Sequence, residues 1–253
     1  VRGVAIDLNC DMGESFGAWT MGQDEAVLPF VTSANVACGF HAGDPQVMLA
    51  TVRAAVRHGV KVGAHVALPD LQGFGRREMK VTPDEAHAFT LYQLGALDGV
   101  ARACGAKLAH VKPHGALYNM AARDPALSAA IATAVAAFDR GLVLFGLAGG
   151  ALVVAGRAAG LRVAEEAFAD RSYEPDGQLT PRGIAGAVLS DPAAAAAQAV
   201  ALATRGEVIA RGGATVTLRA DTICVHGDRV DAAAFARALR EALAAAGLRV
   251  EAP

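Results

Sequence analysis

Aromatic side chains are scarce, 5% of 253 residues, with a single tryptophan. No basic cluster interleaves with aromatics, and the formal net charge is −2. Both absences argue against a nucleic-acid or anionic-membrane surface. Cysteine is sparse too: Cys10, Cys38, Cys104 and Cys224 are scattered and none forms a CxxC pair. That argues against a zinc ribbon or a disulfide scaffold and fits a reducing compartment. The uncharged apolar stretch Gly141 to Gly156 falls short of the ~18 residues of a spanning helix and is interrupted by Gly149–Gly150. The chain opens directly into a strand-like run, Val4 to Leu8, with no charged leader. The expectation is a cytoplasmic protein. Both common nucleotide fingerprints are missing: there is no GxGxxG after the first strand and no GxxxxGK[ST].

What is present is one phrase repeated along the chain: a short apolar run, a polar cluster, then a helical segment. Val4–Leu8 leads into "NCDMGE"; Ser33–Ala37 leads into "CGFHAGD" and a helix from Asp44 to His58. Val60–Ala64 ends at His65, and its helix opens at "TPDE", with Thr82 as cap and Glu85 three residues on. Leu108–Val111 leads into "KPHGALYN", and Asp124-Pro125 caps an Ala-rich helix. Leu142–Leu147, Leu161–Ala164 and Thr222–Val225 continue the series, with Asp191-Pro192 starting a helix and Thr215–Leu218 reading as an extra strand. A final helix from about Asp231 places Phe235, Ala238, Leu239, Ala242 and Leu243 on one face. Alternation of this kind implies a parallel sheet with helical cover. About seven repeats fit a single α/β barrel, closed or slightly open and one strand short of eight, spanning residues 1–253 as one domain.

In parallel α/β folds, sites form at the carboxyl ends of strands. One rim would therefore gather Asn9, Asp11, Glu14, His41, Asp44, His65, Asp70, Lys112, His114, Glu166, Asp170, Arg171, His226 and Asp228. Each has a plainer reading beside it. Asp44 before Pro45 reads as a helix cap, Asp70 as a turn former, Asp170–Arg171 as a structural ion pair and His110 as a core histidine. Cys10, Cys38 and Cys224 lack any visible electropositive setting that would make a thiol reactive. "KPHGALYN" is the strongest cluster. A lysine ending a buried strand is costly without a partner, so Lys112 is expected to await an anionic ligand while His114 moves a proton. "GFGRR" offers Arg76 and Arg77 as a second anion clamp, against the plainer reading of a solvated basic loop.

The motifs "DLNCDMGE", "SANVACGFHAGDP", "GAH…PDLQGFGRR", "YQLGAL", "HVKPHGALYN", "FADRSY", "GQLTPR" and "CVHGD" occur in that order over nearly the whole chain. In this it resembles the LamB/YcsF family of 5-oxoprolinase A subunits. The resemblance implies a seven-stranded β/α barrel of the glycoside hydrolase/deacetylase type. It also implies ATP-dependent cleavage of 5-oxoproline to glutamate with two partner subunits, of B and C type. One departure is local: where the family follows "GAH" with Pro-Gly and an aromatic residue, this chain has Val66, Ala67 and Leu68.

A lactam carbonyl is a poor electrophile and its nitrogen a poor leaving group. Phosphorylation of the carbonyl oxygen would repair both, after which water attacks, phosphate leaves and the ring opens. Such chemistry needs proton-transfer groups and cations. Asp11, His65 and His114 are the candidates for proton work. Lys112, Arg76 and Arg77 are candidates for binding anions, and Asn9 and Asn119 for orienting the amide. Glu14, His41, Asp170, Arg171, His226 and Asp228 complete the expected substrate site. Two other readings stay open: a metal-dependent deacetylase, since Asp11, His41 and His65 suit a zinc-like ion, and a non-catalytic subunit that presents the lactam. The missing fingerprints leave ATP either at an unfamiliar site here or on a partner.

Overall fold

The computed structural model describes residues 5–227 and 231–253. Seven parallel strands close on themselves: β1 (Ala5–Met12), β2 (Ser33–Ala37), β3 (Lys61–Val66), β4 (Leu108–Pro113), β5 (Val143–Leu147), β6 (Arg162–Phe168) and β9 (Thr222–Val225). Closure is complete, because β9 pairs with β6 on one side and with β1, from Asp7↔Thr222 to Cys10↔Val225, on the other. A two-residue strand β10 (Arg249–Val250) adds to the start of β1. The expected extra strand is β8 (Thr215–Thr217), which pairs antiparallel with β7 (Glu207–Ile209) outside the barrel.

Helices α2 (Pro45–Arg57), α3 (Pro83–Ala103), α5 (Pro125–Phe138), α6 (Ala151–Ala158), α7 (Pro192–Arg205) and α8 (Ala232–Ala245) cover the barrel; α1 (Asp24–Val27) and α4 (Gly115–Arg123) lie at its edges. Their starts follow the local chemistry foreseen. Asp44, Asp124 and Asp191 each cap backbone N–H groups just before a proline, and Thr82 with Glu85 forms a reciprocal capping box. The cap role of Asp44 is thus observed. In α8, Phe235, Leu239 and Leu243 are buried, and Ala238 and Ala242 are half-buried beside them.

The main apolar cluster lies between strands and helices. The barrel interior is different: it is polar and hydrogen-bonded in layers. The Asp7 carboxylate accepts from the hydroxyls of Thr32, Ser33 and Thr222 at 2.5–2.8 Å. Above it, Asn9 Nδ2 donates to Glu166 Oε1 at 2.9 Å and Thr222 Oγ1 at 2.7 Å, while Asn35 Nδ2 donates to Asn9 and Asp11. His110 is the expected core histidine, 2.7 Å from Asn35 Oδ1 and stacked on Phe145. Burial pulls its pKa down to about 3. Gly63 is required there, since a Cβ would collide with that ring.

This polar filling shifts the strand ends. Asn9 and Asp11 sit within β1, His65 within β3, Lys112 within β4 and Glu166 within β6, rather than in loops after the strands. Apolar runs mark a strand only while both faces are apolar, and here the inward face is not.

Candidate active site at the carboxyl end of the barrel

A cavity of about 740 Å³ opens at the carboxyl ends of the strands, within the usual size of ligand sites. Asp11, Glu14, His65, Arg76, Lys112, His114, Asn119, Arg171 and His226 line it. The histidines expected on one rim, His65, His114 and His226, are therefore together.

Lys112 is the electrostatic centre. Its ammonium lies 2.9 Å from Asp11 Oδ1, 2.9 Å from Glu166 Oε1, 3.3 Å from Asn9 Oδ1 and 3.1 Å from Cys224 Sγ. The lysine is not waiting for an anion, as the sequence suggested; two carboxylates reaching it across the barrel, from β1 and β6, already compensate it. Burial would lower its pKa, but the Asp11 and Glu166 carboxylates outweigh burial and hold it well above the ordinary lysine value. Burial likewise works to raise the Asp11 carboxyl, and His65 and Lys112 overcome it, so Asp11 stays ionised. The thiols are ordinary buried groups: burial pushes Cys10 and Cys224 well up and Cys38 to about 12.

Beside Lys112, three histidines converge. His65 Nε2 is 3.4 Å from Asp11 Oδ2 and 3.0 Å from His114 Nδ1, and His41 stacks on His114 with ring centroids 3.8 Å apart. Burial, reinforced by the neighbouring histidines, keeps His41 and His114 well below the ordinary histidine pKa. Glu14 Oε1 closes the group, 3.5 Å from His41 and 3.7 Å from His114. The loop after β3 holds His114 from the other side: its ring lies 2.8 Å from the carbonyl of Phe74. Phe74 has φ 55, the single positive value at a non-glycine residue among those described. Strain of this kind persists where its surroundings fix it. The Val66–Ala67–Leu68 departure is packed into the core, with the Gln93 amide clasping both backbone groups of Ala67.

The loop after β6 supplies the opposite wall. His226 Nδ1 sits 2.8 Å from Asp170 Oδ2, and its Nε2 is 2.8 Å from the Arg182 guanidinium. Arg171 donates to the carbonyls of Thr180 and Ala187, so it holds the wall as well as lining it. Its partner is largely this backbone, which revises the simple Asp170–Arg171 ion pair.

Four expected substrate contacts do not line the cavity. Asn9 lies beneath the floor in the interior network; His41 lies behind His114; Asp170 is covered by His226; and Arg77 turns outward onto Asp70, which also accepts from the Gly73 N–H. Asp70 is thus the anchor of this loop. Arg76 alone of the arginine pair faces the cavity, its guanidinium 4.9 Å over the Phe74 ring. Asp228 lies outside the described residues. The sequence reading missed Arg182, Arg123, Tyr118 and Phe168 as lining groups, and it placed Glu166 on the rim without giving it the role of Lys112's partner. Arg182 stands inside the "GQLTPR" motif and was findable; Phe168 reads simply as the apolar end of a strand.

The LamB/YcsF family profile matches residues 6–253. The chain belongs to the LamB/YcsF family. The A-type 5-oxoprolinase subunit of Methylococcus capsulatus is 62% identical, over 98% of this chain and 95% of that protein. The Bacillus subtilis protein of the same name is 55% identical, over 98% and 96%. Among solved structures, the lactam utilization protein from Thermus thermophilus superposes with a TM-score of 0.93 at 51% identity, covering 98% of this chain and 100% of that one. The T48 deacetylase shares the barrel alone, with TM-score 0.51 and 13% identity over 98% and 87%. The expected family and the seven-stranded, deacetylase-like barrel are therefore both observed. Among the described residues, no helix is long and apolar enough to cross a membrane.

Proposed function

We propose that this chain is the A component of an ATP-dependent 5-oxoprolinase and carries out ring opening of 5-oxo-L-proline to L-glutamate together with two partner subunits. The observation that carries the reading is 62% identity, over nearly its full length, to a protein named for that component. The cavity supports it chemically, because buried proton-transfer groups face a wall of cations. Arg76 and Arg182 suit the lactam carboxylate and any phosphate placed on its carbonyl oxygen. Asp11 is the ionised carboxylate at the cavity with His65 and His114 beside it, which suits proton transfer, and Asn119 lies where it can orient the amide. Lys112 acts chiefly by holding Asp11 and Glu166 in place.

We place ATP use with the assembly, on the partner subunits, because the chain carries neither common nucleotide fingerprint. The test is glutamate release by the purified chain, by its partners and by the mixture, each with and without ATP. Activity that requires all components supports the reading. Full lactam hydrolysis by the single chain without ATP, or deacetylation independent of partners, overturns it.

A further inference from the structure

The His65–His114 contact poses a question that hydrogen bonding within the protein does not answer. His65 Nδ1 lies 3.0 Å from the carbonyl oxygen of Lys112, and His114 Nε2 lies 2.8 Å from that of Phe74. A carbonyl oxygen only accepts, so each of these nitrogens carries its proton. In neutral imidazoles the opposite nitrogens, His65 Nε2 and His114 Nδ1, are then both lone pairs. They face each other at 3.0 Å. Two lone pairs at that distance repel unless a positive centre is shared between them.

His41 adds to the case. It is 1% exposed and neither of its ring nitrogens has a hydrogen-bond partner. A buried imidazole without one has given up its hydrogen bonds to water with nothing in return. Its Nε2 stands 3.5 Å from Glu14 Oε1, which is itself 3.7 Å from His114 Nδ1. Ligand atoms of Glu14, His41, His65 and His114 all lie within 4.8 Å of one another.

We propose that Glu14, His41, His65 and His114 form a binding site for one divalent transition-metal ion of the zinc class at the edge of the cavity. Tetrahedral bonds of about 2.0–2.1 Å set ligand–ligand edges of about 3.3 Å. The observed separations of 3.0, 3.5 and 3.7 Å bracket that value. The two backbone carbonyls are the outer partners that usually fix the tautomer of a ligating histidine. His41 is the adjustable ligand. It stacks on His114 with centroids 3.8 Å apart, so its ring swings out of the stack to reach an ion lying in the His114 plane, and no hydrogen bond holds it back. The set differs from the Asp11–His41–His65 triad suggested by sequence: Lys112 and Asn35 engage Asp11 Oδ1, its Oδ2 stands 3.4 Å from His65 Nε2, and Glu14 and His114 complete the ligand set in its place. Charge balance agrees: Asp11 and Glu166 already share the Lys112 ammonium, and Glu14 adds a third carboxyl group on the histidine side.

The proposal does not rest on the lactam reading, and its test needs no turnover. The full chain, stripped with chelator, is titrated with Co²⁺ and then with Zn²⁺. One equivalent of cobalt with visible ligand-field bands, displaced by zinc, is expected. His65→Ala and His114→Ala are expected to weaken binding at least about a hundredfold, more than loss of an outer partner does. Glu14→Gln and His41→Ala should weaken it measurably, and His58→Ala, a surface histidine, should not change it. Circular dichroism identifies any variant that fails to fold, and the spectrum of the unaltered chain stands without the variants. A folded chain that binds neither ion stoichiometrically overturns the proposal. So does binding unchanged in folded Glu14→Gln and His41→Ala variants. A far-downfield imidazole proton resonance that survives excess Zn²⁺ would mean that the two rings share a proton instead, and also overturns it.

Discussion

Lys112 and Glu166 meet across the barrel, Nζ to Oε1 at 2.9 Å, with both side chains closed off from water. Asp11 meets the same ammonium from β1, so one cation neutralises two strands' worth of buried carboxylate. Removing one member of such a group strands the others. Lys112→Met is therefore expected to cost about 3–5 kcal/mol of stability. Lys112→Met/Glu166→Gln should recover part of the loss, because one of the two stranded charges is gone. Urea unfolding of the three proteins checks both statements; a Lys112→Met protein as stable as the parent contradicts them.

Gly115 has φ +54, and a Cβ there would stand 2.5 Å from the carbonyl oxygen of Gly75. The Ala116 N–H donates to that same oxygen at 2.8 Å, which seats the start of α4 against the loop holding His114. Gly115→Ala should destabilise the chain by on the order of 1–3 kcal/mol and lower turnover in the assembled system by displacing His114. Gly95→Ala is the contrast. That glycine is exposed within α3 with open space around its Cα, so the change should stabilise by about 0.5–1 kcal/mol. Unfolding free energies of opposite sign are the expected result.

Burial favours the neutral form of Asp170, but His226, Arg182 and Arg171 outweigh it and hold the carboxyl below its ordinary value. A depressed folded-state pKa stabilises the fold above the unfolded value, about pH 4, and the gain disappears as pH falls through the folded value. Asp170→Asn should thus be less stable than the parent by a constant amount above about pH 4, and the gap should close on further acidification. Urea midpoints between neutral and strongly acidic pH measure it. A gap that widens in acid contradicts the assignment.

Arg182 lines the cavity, reaches His226 and packs into no core, so its removal should spare the fold. If it binds the lactam carboxylate, Arg182→Ala raises KM for 5-oxoproline about tenfold to a hundredfold, the value of a charge-assisted hydrogen bond. An unchanged KM in the three-subunit assay would place the carboxylate elsewhere.

Much of this architecture was legible one segment at a time. Asp44, Thr82, Asp124 and Asp191 announce helix starts because a cap needs one side chain and its own next three residues. The rim was legible because parallel strands all point the same way. The partners within it were not. Lys112 meets Asp11 across 101 positions and Glu166 across a further strand of the barrel. Arg77 looked equal to Arg76 in "GFGRR", yet the loop's turn sends one to Asp70 and the other over Phe74.

The order of strands and helices, the caps between them, the family and the set of polar residues at the strand ends all follow from the chain read as a string. They depend on neighbours within a few residues, or on motifs that survive as short words. Folding in three dimensions settled the rest: that the barrel closes through β9 and β1, that its interior is polar, that Lys112 is already neutralised and that His41, His65 and His114 share one small space. Each of those facts is a distance between side chains far apart in the chain, and such distances exist only once the strands are wound into a ring.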